Sequence, residues 1–289
     1  MTAANLAQQV QTQASAKAPE KVIIITGSSD GIGAEMARQL ARRYGNKCGL
    51  VLAARNQELL QQVAMQCQQS GSATLVVPTD VGVEAQCREL IATTVAEFGR
   101  IDVLINNAGK SAQALFEDVA QLAWYEELMR INFWGSVWCT HAALPYLKQS
   151  RGSLLAVSSL AGLVGVPGRT AYSASKFAMN GFFESLRAEL KQAGVSVTLA
   201  YPGVVSTQIR YHGFNAAGGA AGVSGLKEDD AMSVEVCAKL MLQGLENRQR
   251  EVVMTMKGKL GRFLKLIAPG VVEKIALAAL KQEVRPRSD

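Results

Sequence analysis

Two side chains with complementary chemistry, Tyr172 and Lys176, are four residues apart in the segment Tyr-Ser-Ala-Ser-Lys. Residues at positions i and i+4 of a helix share one face, so the phenol and the ammonium are predicted to be neighbours. A free phenol has a pKa of ~10 and is a poor acid or base near neutrality. An ammonium ~4 Å away, at an effective dielectric constant of ~20, contributes ~4 kcal/mol, or roughly three pKa units, in favour of the phenolate. The pair is therefore predicted to transfer a proton through Tyr172.

A glycine-rich turn follows the first apolar run, Val22 to Thr26, and leads into a helical pattern. Gly27 permits a tight turn, Gly31 lets backbone approach a pyrophosphate, and Gly33 allows close packing of the helix. The amides and the dipole at the helix N-terminus then favour phosphate groups. A glycine turn that binds nothing is the alternative. The turn thus predicts a dinucleotide site, to which Ser28, Ser29 and Ile32 also belong.

The spacing Gly-x-x-x-Gly-x-Gly is one residue longer than the usual dinucleotide fingerprint, and it resembles the turn of the short-chain dehydrogenase/reductase family. Six motifs match the family in order between residues 21 and 255. One of them is the distance from Ser159 to Tyr172, which is thirteen residues, as the family pattern requires.

The resemblance implies a reaction in which hydride passes between a nicotinamide cofactor and a carbonyl carbon. Tyr172 would donate the proton to the carbonyl oxygen, and Ser159 would hydrogen-bond the same oxygen. Lys176 would also hold the nicotinamide ribose, and Asn132 would bend its helix and hold a water in the proton relay. Without the resemblance, Asn132 is only a polar residue inside a helix.

Further cofactor contacts are implied at the ends of three predicted strands. Asp80 and Val81 would hold the adenine, although a solvated aspartate in a turn is an alternative for Asp80. The family's Asn-Asn-Ala-Gly signature and its Pro-Gly-x-x-x-Thr segment supply the rest, and the matching residues are Asn107, Ala108, Gly109, Pro202, Gly203, Val205 and Thr207.

A basic side chain stands where a dinucleotide-binding fold meets the adenosine ribose. Position 54 is Ala and position 55 is Arg, so no carboxylate repels a phosphate there and the Arg55 guanidinium can bind one bidentately. NADP(H) is therefore predicted rather than NAD(H), with help from Ser28 and Asn56. Some NADP-preferring relatives carry a basic residue before the second glycine of the motif, and Asp30 departs from that pattern. The alternative to a phosphate contact is that Arg55 is only a solvated side chain at the end of a strand.

Seven short apolar runs recur with helical stretches between them, which is typical of a parallel sheet buried on both faces. The fold class predicted is α/β, a single doubly wound Rossmann domain with a seven-stranded parallel sheet and a C-terminal amphipathic helical extension. Two helices, about Leu122 to Lys148 and Tyr172 to Ala193, are long enough to suggest a homodimer or homotetramer.

Composition excludes several other classes. The net charge is +6, but the last 33 residues carry +5 of it, so a nucleic-acid partner is not expected. The five scattered cysteines predict buried thiols in a reducing compartment, hence a cytoplasmic protein without disulfides. The sequence has no group of residues spaced as metal ligands, so a metal site is not predicted. It also has no Gly-x-Ser-x-Gly elbow, so a hydrolase is not predicted.

Three segments are predicted: a flexible N-terminal segment at 1–20, a catalytic domain at 21–256, and a basic amphipathic extension at 257–289. The extension is expected to cover the cleft or a partner subunit; peripheral contact with an anionic membrane is the alternative.

The glycine and alanine residues of segment 206–230 predict a flexible lid over a mainly apolar site. The predicted substrate is a bulky or lipophilic ketone or aldehyde, with a 3-oxoacyl thioester as an alternative class. A regulator that senses NADPH without turnover is the alternative function.

Overall fold

A parallel sheet of seven strands forms the centre of the protein. The computed structural model describes residues 18–222 and 231–283. The strands lie in the order β3-β2-β1-β4-β5-β6-β7, and every pair is parallel. Their bounds are β1 (Lys21–Thr26), β2 (Cys48–Ala54), β3 (Ala73–Pro78), β4 (Val103–Asn106), β5 (Ser153–Val157), β6 (Ser196–Tyr201) and β7 (Glu251–Val253).

Helices connect the strands and cover both faces of the sheet. In the described residues these are α1 (Gly31–Tyr44), α2 (Gln57–Gln68), α3 (Glu84–Phe98), α4 (Ala123–Met129), α5 (Gly135–Ser150), α6 (Thr170–Glu189), α7 (Val234–Glu246), α8 (Met256–Ile267) and α9 (Pro269–Glu283). None of them combines the length and the apolar character needed to cross a bilayer.

The strands are apolar on both sides because each side faces a separate core. In β1, Ile23 and Ile25 belong to one core, whereas Val22 and Ile24 belong to the other. Continuous burial of this kind is what a parallel sheet between two helical layers requires. The predicted doubly wound α/β class is confirmed, and the predicted C-terminal helical extension is present as the two helices α8 and α9.

The predicted helix from Leu122 to Lys148 is interrupted rather than uniform. Helix α4 passes into a wide π turn at Arg130–Trp134, and α5 continues from it. The second predicted long helix begins at Thr170 and ends at Glu189, earlier than the expected Ala193. Helix ends are the least predictable feature of a sequence, since fraying and capping decide them.

The segments predicted to be flexible are described only in part. Glu20 donates its backbone N–H to the Lys47 carbonyl at 2.9 Å, which ties the end of segment 1–20 to the domain. Within the predicted lid, Gln208–Arg210 form a short helical turn, and Phe214 bridges to Ala112 and Ala220. Residues 1–17, 223–230 and 284–289 lie outside the described part of the chain.

The strand order reverses between β1 and β4. Crossovers from these two strands leave in opposite directions, and a crevice therefore opens at the carboxyl ends of the strands. The loops after the strands from β1 to β6 all meet at this edge, which is where the candidate residues were predicted.

Candidate active site

A cavity of about 860 Å³ lies at the carboxyl edge of the sheet. This volume suits a large cofactor or ligand. Most of the predicted site residues line it: Gly27, Ser29, Gly31, Ile32, Arg55, Asn56, Asp80, Val81, Asn107, Ala108, Gly109, Ser159, Tyr172, Lys176, Pro202, Gly203, Val205 and Thr207. Residues that are 180 positions apart in the chain are thus brought to one cavity.

The glycine turn has the close approaches predicted for it. Gly27 has a φ of +66°, and a Cβ there would lie 2.8 Å from the Ala108 Cα. A Cβ on Gly33 would lie 2.2 Å from the Gly27 carbonyl oxygen, so only glycine lets α1 pack this close to the turn. The Asn107 side chain donates to the Thr26 and Gly27 carbonyls, at 3.0 Å each. Asn107 therefore links the end of β4 to the turn after β1.

Two residues of the turn lie behind the cavity wall. Ser28 is fully buried, and its hydroxyl donates to the Ala53 carbonyl at 3.5 Å. Ser28 and Gly33 are absent from the residues that line the cavity. In this arrangement Ser28 braces β2 against the turn, and the predicted contact of Ser28 with a phosphate stays a prediction.

Asp30 caps the helix that follows the turn. Its carboxylate accepts the Gly31 N–H at 2.6 Å, at the N-terminus of α1. An aspartate is favourable there because it satisfies an unpaired amide and complements the helix dipole. This gives a local reason for an acid where some NADP-preferring relatives carry a base.

Arg55 and Asn56 line the cavity at the end of β2, next to Ala54. The Asn56 side chain caps α2 by accepting the Leu59 N–H at 3.0 Å. A helix N-terminus and a guanidinium thus face the same end of the cavity, where a phosphate would be stabilised by both. The residues present fit the extra phosphate of NADP(H).

Asp80 is held by its own loop. Its carboxylate accepts the Gly82 N–H at 2.8 Å, and its backbone N–H donates to the Gln86 side chain at 2.7 Å. The predicted contact with adenine would use the cavity-facing side of this loop.

Asn132 is fully buried in the π turn and lies outside the cavity wall. Its amide accepts the Lys110 N–H at 2.7 Å, and it donates to the Lys110 carbonyl and to the Ser175 hydroxyl, at 3.0 Å each. Ser175 in turn donates to the Tyr172 carbonyl at 2.7 Å. Asn132 therefore joins the loop after β4 to the helix that carries Tyr172, and its predicted part in a water relay stays a prediction.

Ser159, Tyr172 and Lys176 meet on one wall of the cavity. Ser159 is positioned by a cap, since its hydroxyl accepts the Ala161 N–H at 3.2 Å. The Lys176 Nζ donates to the Val157 carbonyl at 2.9 Å and lies 5.8 Å from the centre of the Tyr172 ring. Ser158, the neighbouring serine, instead donates to the Asn180 side chain at 2.7 Å. Ser159 is thus the serine that faces the phenol.

The electrostatics of this wall differ from the expectation. Burial raises the pKa of Tyr172, whereas Arg169, the Ser159 hydroxyl and Arg210 lower it. Burial also lowers the pKa of Lys176 to about 8. The Lys176 ammonium donates to the Val157 carbonyl, and Lys176 is not among the groups that lower the Tyr172 pKa in this structure, so the lowering expected from Lys176 stays a prediction.

Several further residues that line the cavity were not singled out as site residues from the sequence. They include Lys110, Ser111, Val166, Arg169, Gln208, Ile209, Arg210 and His212. Lys110 lies 3.4 Å from the centre of the Phe214 ring and 3.8 Å from the Glu127 carboxylate. Arg169 lies three residues before Tyr172, and Arg210 lies three residues after Thr207 within the predicted lid, but neither arginine was singled out from the sequence.

The comparisons with known proteins agree with this geometry. The family model described as short chain dehydrogenase matches residues 21–216. The chain therefore belongs to the short-chain dehydrogenase family.

Curated relatives include two proteins of Arabidopsis thaliana. The chain is 44% identical over 192 residues to "11-beta-hydroxysteroid dehydrogenase-like 4A", a match that covers 66% of this chain and 63% of that relative. It is 35% identical over 254 residues to "11-beta-hydroxysteroid dehydrogenase-like 2", covering 88% of this chain and 79% of the relative.

A solved structure has the same fold. It is an alcohol dehydrogenase from the archaeon Thermococcus sibiricus complexed with 5-hydroxy-NADP, and it matches with a TM-score of 0.68 and 26% identity. The match covers 81% of this chain and 94% of that one.

Proposed function

We propose that this protein is an NADP(H)-dependent carbonyl reductase that interconverts a ketone or aldehyde with an alcohol. The observation that carries the proposal is the cavity itself. Ser159, Tyr172 and Lys176 stand on one wall, and the glycine turn and Arg55 line the same space. The cofactor supplies the hydride when bound, and the archaeal neighbour's NADP derivative supports this choice of cofactor.

The chain's own residues handle the proton and the substrate oxygen. The Tyr172 hydroxyl donates its proton to the oxygen of the carbonyl, and the Ser159 hydroxyl donates a hydrogen bond to the same oxygen. Lys176, held by the Val157 carbonyl, supplies positive charge beneath the reacting groups. In the reverse direction the phenolate accepts the proton.

We propose a bulky, lipophilic carbonyl compound as the substrate. The cavity wall includes the apolar side chains of Leu160, Val166 and Ile209. The names of the plant relatives, which refer to hydroxysteroid dehydrogenases, support a search among steroids. We propose that the protein is cytoplasmic, since a reducing compartment suits its five free, buried cysteines. In such a compartment, reduction of the carbonyl is the direction that we propose.

The test is nicotinamide absorbance with NADPH and NADH in parallel, across ketones, aldehydes, steroids, long-chain oxo lipids and 3-oxoacyl thioesters. Tyr172→Phe is the blank. We expect oxidation of NADPH that requires Tyr172 and one substrate class. Faster turnover with NADH would contradict the cofactor assignment, and tight NADPH binding without turnover would favour the sensor function instead.

We propose that α8 and α9 also make peripheral contact with an anionic membrane. Met256, Phe263 and Leu266 are 76%, 59% and 79% exposed, and basic side chains such as Lys257 and Lys259 interleave with them. An apolar stripe bordered by lysines suits the surface of an anionic bilayer. Cosedimentation with phosphatidylserine vesicles should fall in Phe263→Glu and remain unchanged in Leu59→Glu, a control on α2.

We propose that α5 and α6 form the interface of a homodimer or homotetramer. Trp134 is 46% exposed, and it packs in a row of aromatic rings with Phe133 and Trp138. Phe177, on α6, is 38% exposed. Sedimentation velocity should show an oligomer that Trp134→Glu converts to monomer; a monomeric wild type would contradict the proposal.

A further inference from the structure

Two arginine side chains lie beside Tyr172 that the predicted motifs do not include. Arg169 and Arg210 both line the cavity. The Arg169 Cζ lies 5.6 Å from the centre of the Tyr172 ring. Arg210 is only 7% exposed, and its Nη1 donates to the Val205 carbonyl at 3.2 Å. Two cations that cannot lose their protons at ordinary pH therefore stand near the phenol.

The backbone at Arg169 is fixed from two sides. Its carbonyl accepts the Ser173 N–H at 2.8 Å in the first turn of α6, and Arg169 bridges to Ala114. The preceding residue, Gly168, has a φ of +72° and accepts the Ala114 N–H at 2.8 Å. The guanidinium is thus attached to a rigid point, only three residues before the phenol.

Lys176 lies at a similar distance from the phenol ring. Its ammonium is 5.8 Å from the Tyr172 ring centre and donates to the Val157 carbonyl. Because burial lowers its pKa to about 8, Lys176 loses its charge in mildly alkaline solution in this state of the protein. An arginine keeps its charge over the whole working range. The two cations therefore differ in whether their effect on Tyr172 depends on pH.

We propose that Arg169 is a positioning residue for the reaction: its permanent charge, fixed beside the Tyr172 ring, stabilises the phenolate form of the proton-transferring side chain. The inference rests on the carbonyl–alcohol chemistry proposed above. Arg210 is a second and weaker cation for the same purpose. Burial raises the Tyr172 pKa, and among the groups that lower it Arg169 is the strongest.

Other groups also face the phenol or share its cavity, and they set the background for a pH measurement. They come from helix α6 and from the loops after β4, β5 and β6, and they are Lys176, Lys110, Ser159, Arg210 and His212. All of these residues are kept when Arg169 alone is substituted, so a difference between the variants is assigned to the substitution of Arg169.

The test is a pH titration of Tyr172 by NMR with ring-labelled tyrosine, its signal assigned by its loss in Tyr172→Phe. In Arg169→Gln the Tyr172 pKa should rise by about one unit, as expected for loss of a nearby opposite charge. Arg169→Lys, which keeps the charge, should restore most of the shift. Arg88→Gln, on the exposed helix α3, removes the same charge far from the cavity and should leave the titration unchanged.

Kinetics give an independent measurement. Alcohol oxidation needs the phenolate, so its kcat/KM rises with pH through the Tyr172 pKa. In Arg169→Gln this rise should move to higher pH, with kcat/KM about tenfold lower on the acidic side and with the Kd for NADP⁺ unchanged.

Two results would overturn the proposal. One is an unshifted Tyr172 titration in folded Arg169→Gln and Arg169→Met proteins. The other is a KM increase of equal size at all pH values, which would mean that Arg169 binds an acidic group of the substrate. The NMR titration needs neither substrate nor cofactor. A shifted titration without turnover would therefore contradict the proposed reaction and leave the effect of Arg169 on Tyr172 intact.

Discussion

The two ends of the cavity are built in different ways. At the glycine turn, the wall consists largely of backbone, which is held by close contacts such as those of Gly27 and by the side-chain bonds of Asn107. Near Tyr172, the wall includes side chains from two segments: Val166 and Arg169 from the loop before α6, and Arg210 from the segment after β6. A phosphate can be bound by any backbone of the right shape, whereas an organic substrate is selected by the side chains it touches. The selection of the organic substrate is therefore expected at the second end of the cavity.

The strongest way to separate the two ends is Tyr172→Phe. This change removes the proton donor and keeps the ring, so kcat should fall by a factor of roughly 10²–10⁴. Because the glycine turn is untouched, the Kd for NADPH should change by less than about twofold. Stopped-flow absorbance for turnover and NADPH fluorescence for binding would check this. Retention of more than a tenth of kcat would mean that another group donates the proton.

At the opposite end, Arg55→Ala should weaken NADPH and leave NADH nearly unchanged. Loss of a charge-assisted hydrogen bond to a phosphate costs about 1.5–3 kcal/mol, or roughly 10–150-fold in Kd. Fluorescence titration with both cofactors measures the ratio. Arg88→Ala, an exposed arginine on α3, is the control for the loss of charge. Equal weakening of both cofactors would show that Arg55 does not contact the extra phosphate.

The same contrast explains what could be predicted from the sequence. The strands, the glycine turn and the Ser159, Tyr172 and Lys176 set are local patterns, and the fold followed from them because buried parallel strands and their crossovers allow few arrangements. The wall near Tyr172 joins segments far apart in sequence. Arg169 lines the cavity, and its backbone bridges to Ala114, which is 55 positions earlier in the chain.

The charge state of the buried groups was also beyond prediction from spacing. The i and i+4 relation correctly placed Lys176 and Tyr172 on one helix, but it could not show that the ammonium is fully desolvated and bonded to the Val157 carbonyl. Desolvation depends on every element packed around a group, and those contacts are tertiary.

A smaller effect is expected at the substrate end from Ile209→Ala. Ile209 lines the cavity and is 38% exposed, so its truncation should remove part of an apolar contact and no structural core. We expect kcat/KM for a bulky lipophilic ketone to fall about tenfold, since small losses of apolar contact cost about 1–3 kcal/mol. Turnover of a short ketone should change little.

Leu59→Ala is the matched control for Ile209→Ala. Leu59 is also 38% exposed, but it lies in α2 on another part of the surface. If both substitutions reduced the turnover of bulky and short ketones equally, the apolar end would not be where size is selected.

The smallest effect concerns the pH dependence of stability without cofactor. The pKa of Lys176 is about 8 in the folded protein, below its ordinary value of 10.5. Between pH 8 and pH 10 the unfolded chain therefore holds a proton at this position that the folded protein has lost, and the free energy of unfolding should rise with pH. The contribution is about 1 kcal/mol per pH unit, and it should disappear in Lys176→Met. The pH window ends near pH 10, because above that pH the raised pKa of Tyr172 makes the free energy of unfolding fall with pH.

Urea unfolding at a series of pH values would measure the difference in the free energy of unfolding between the wild type and Lys176→Met. A constant difference from pH 8 to pH 10 would show that Lys176 stays charged in the folded state, and that its interaction with Tyr172 outweighs its burial.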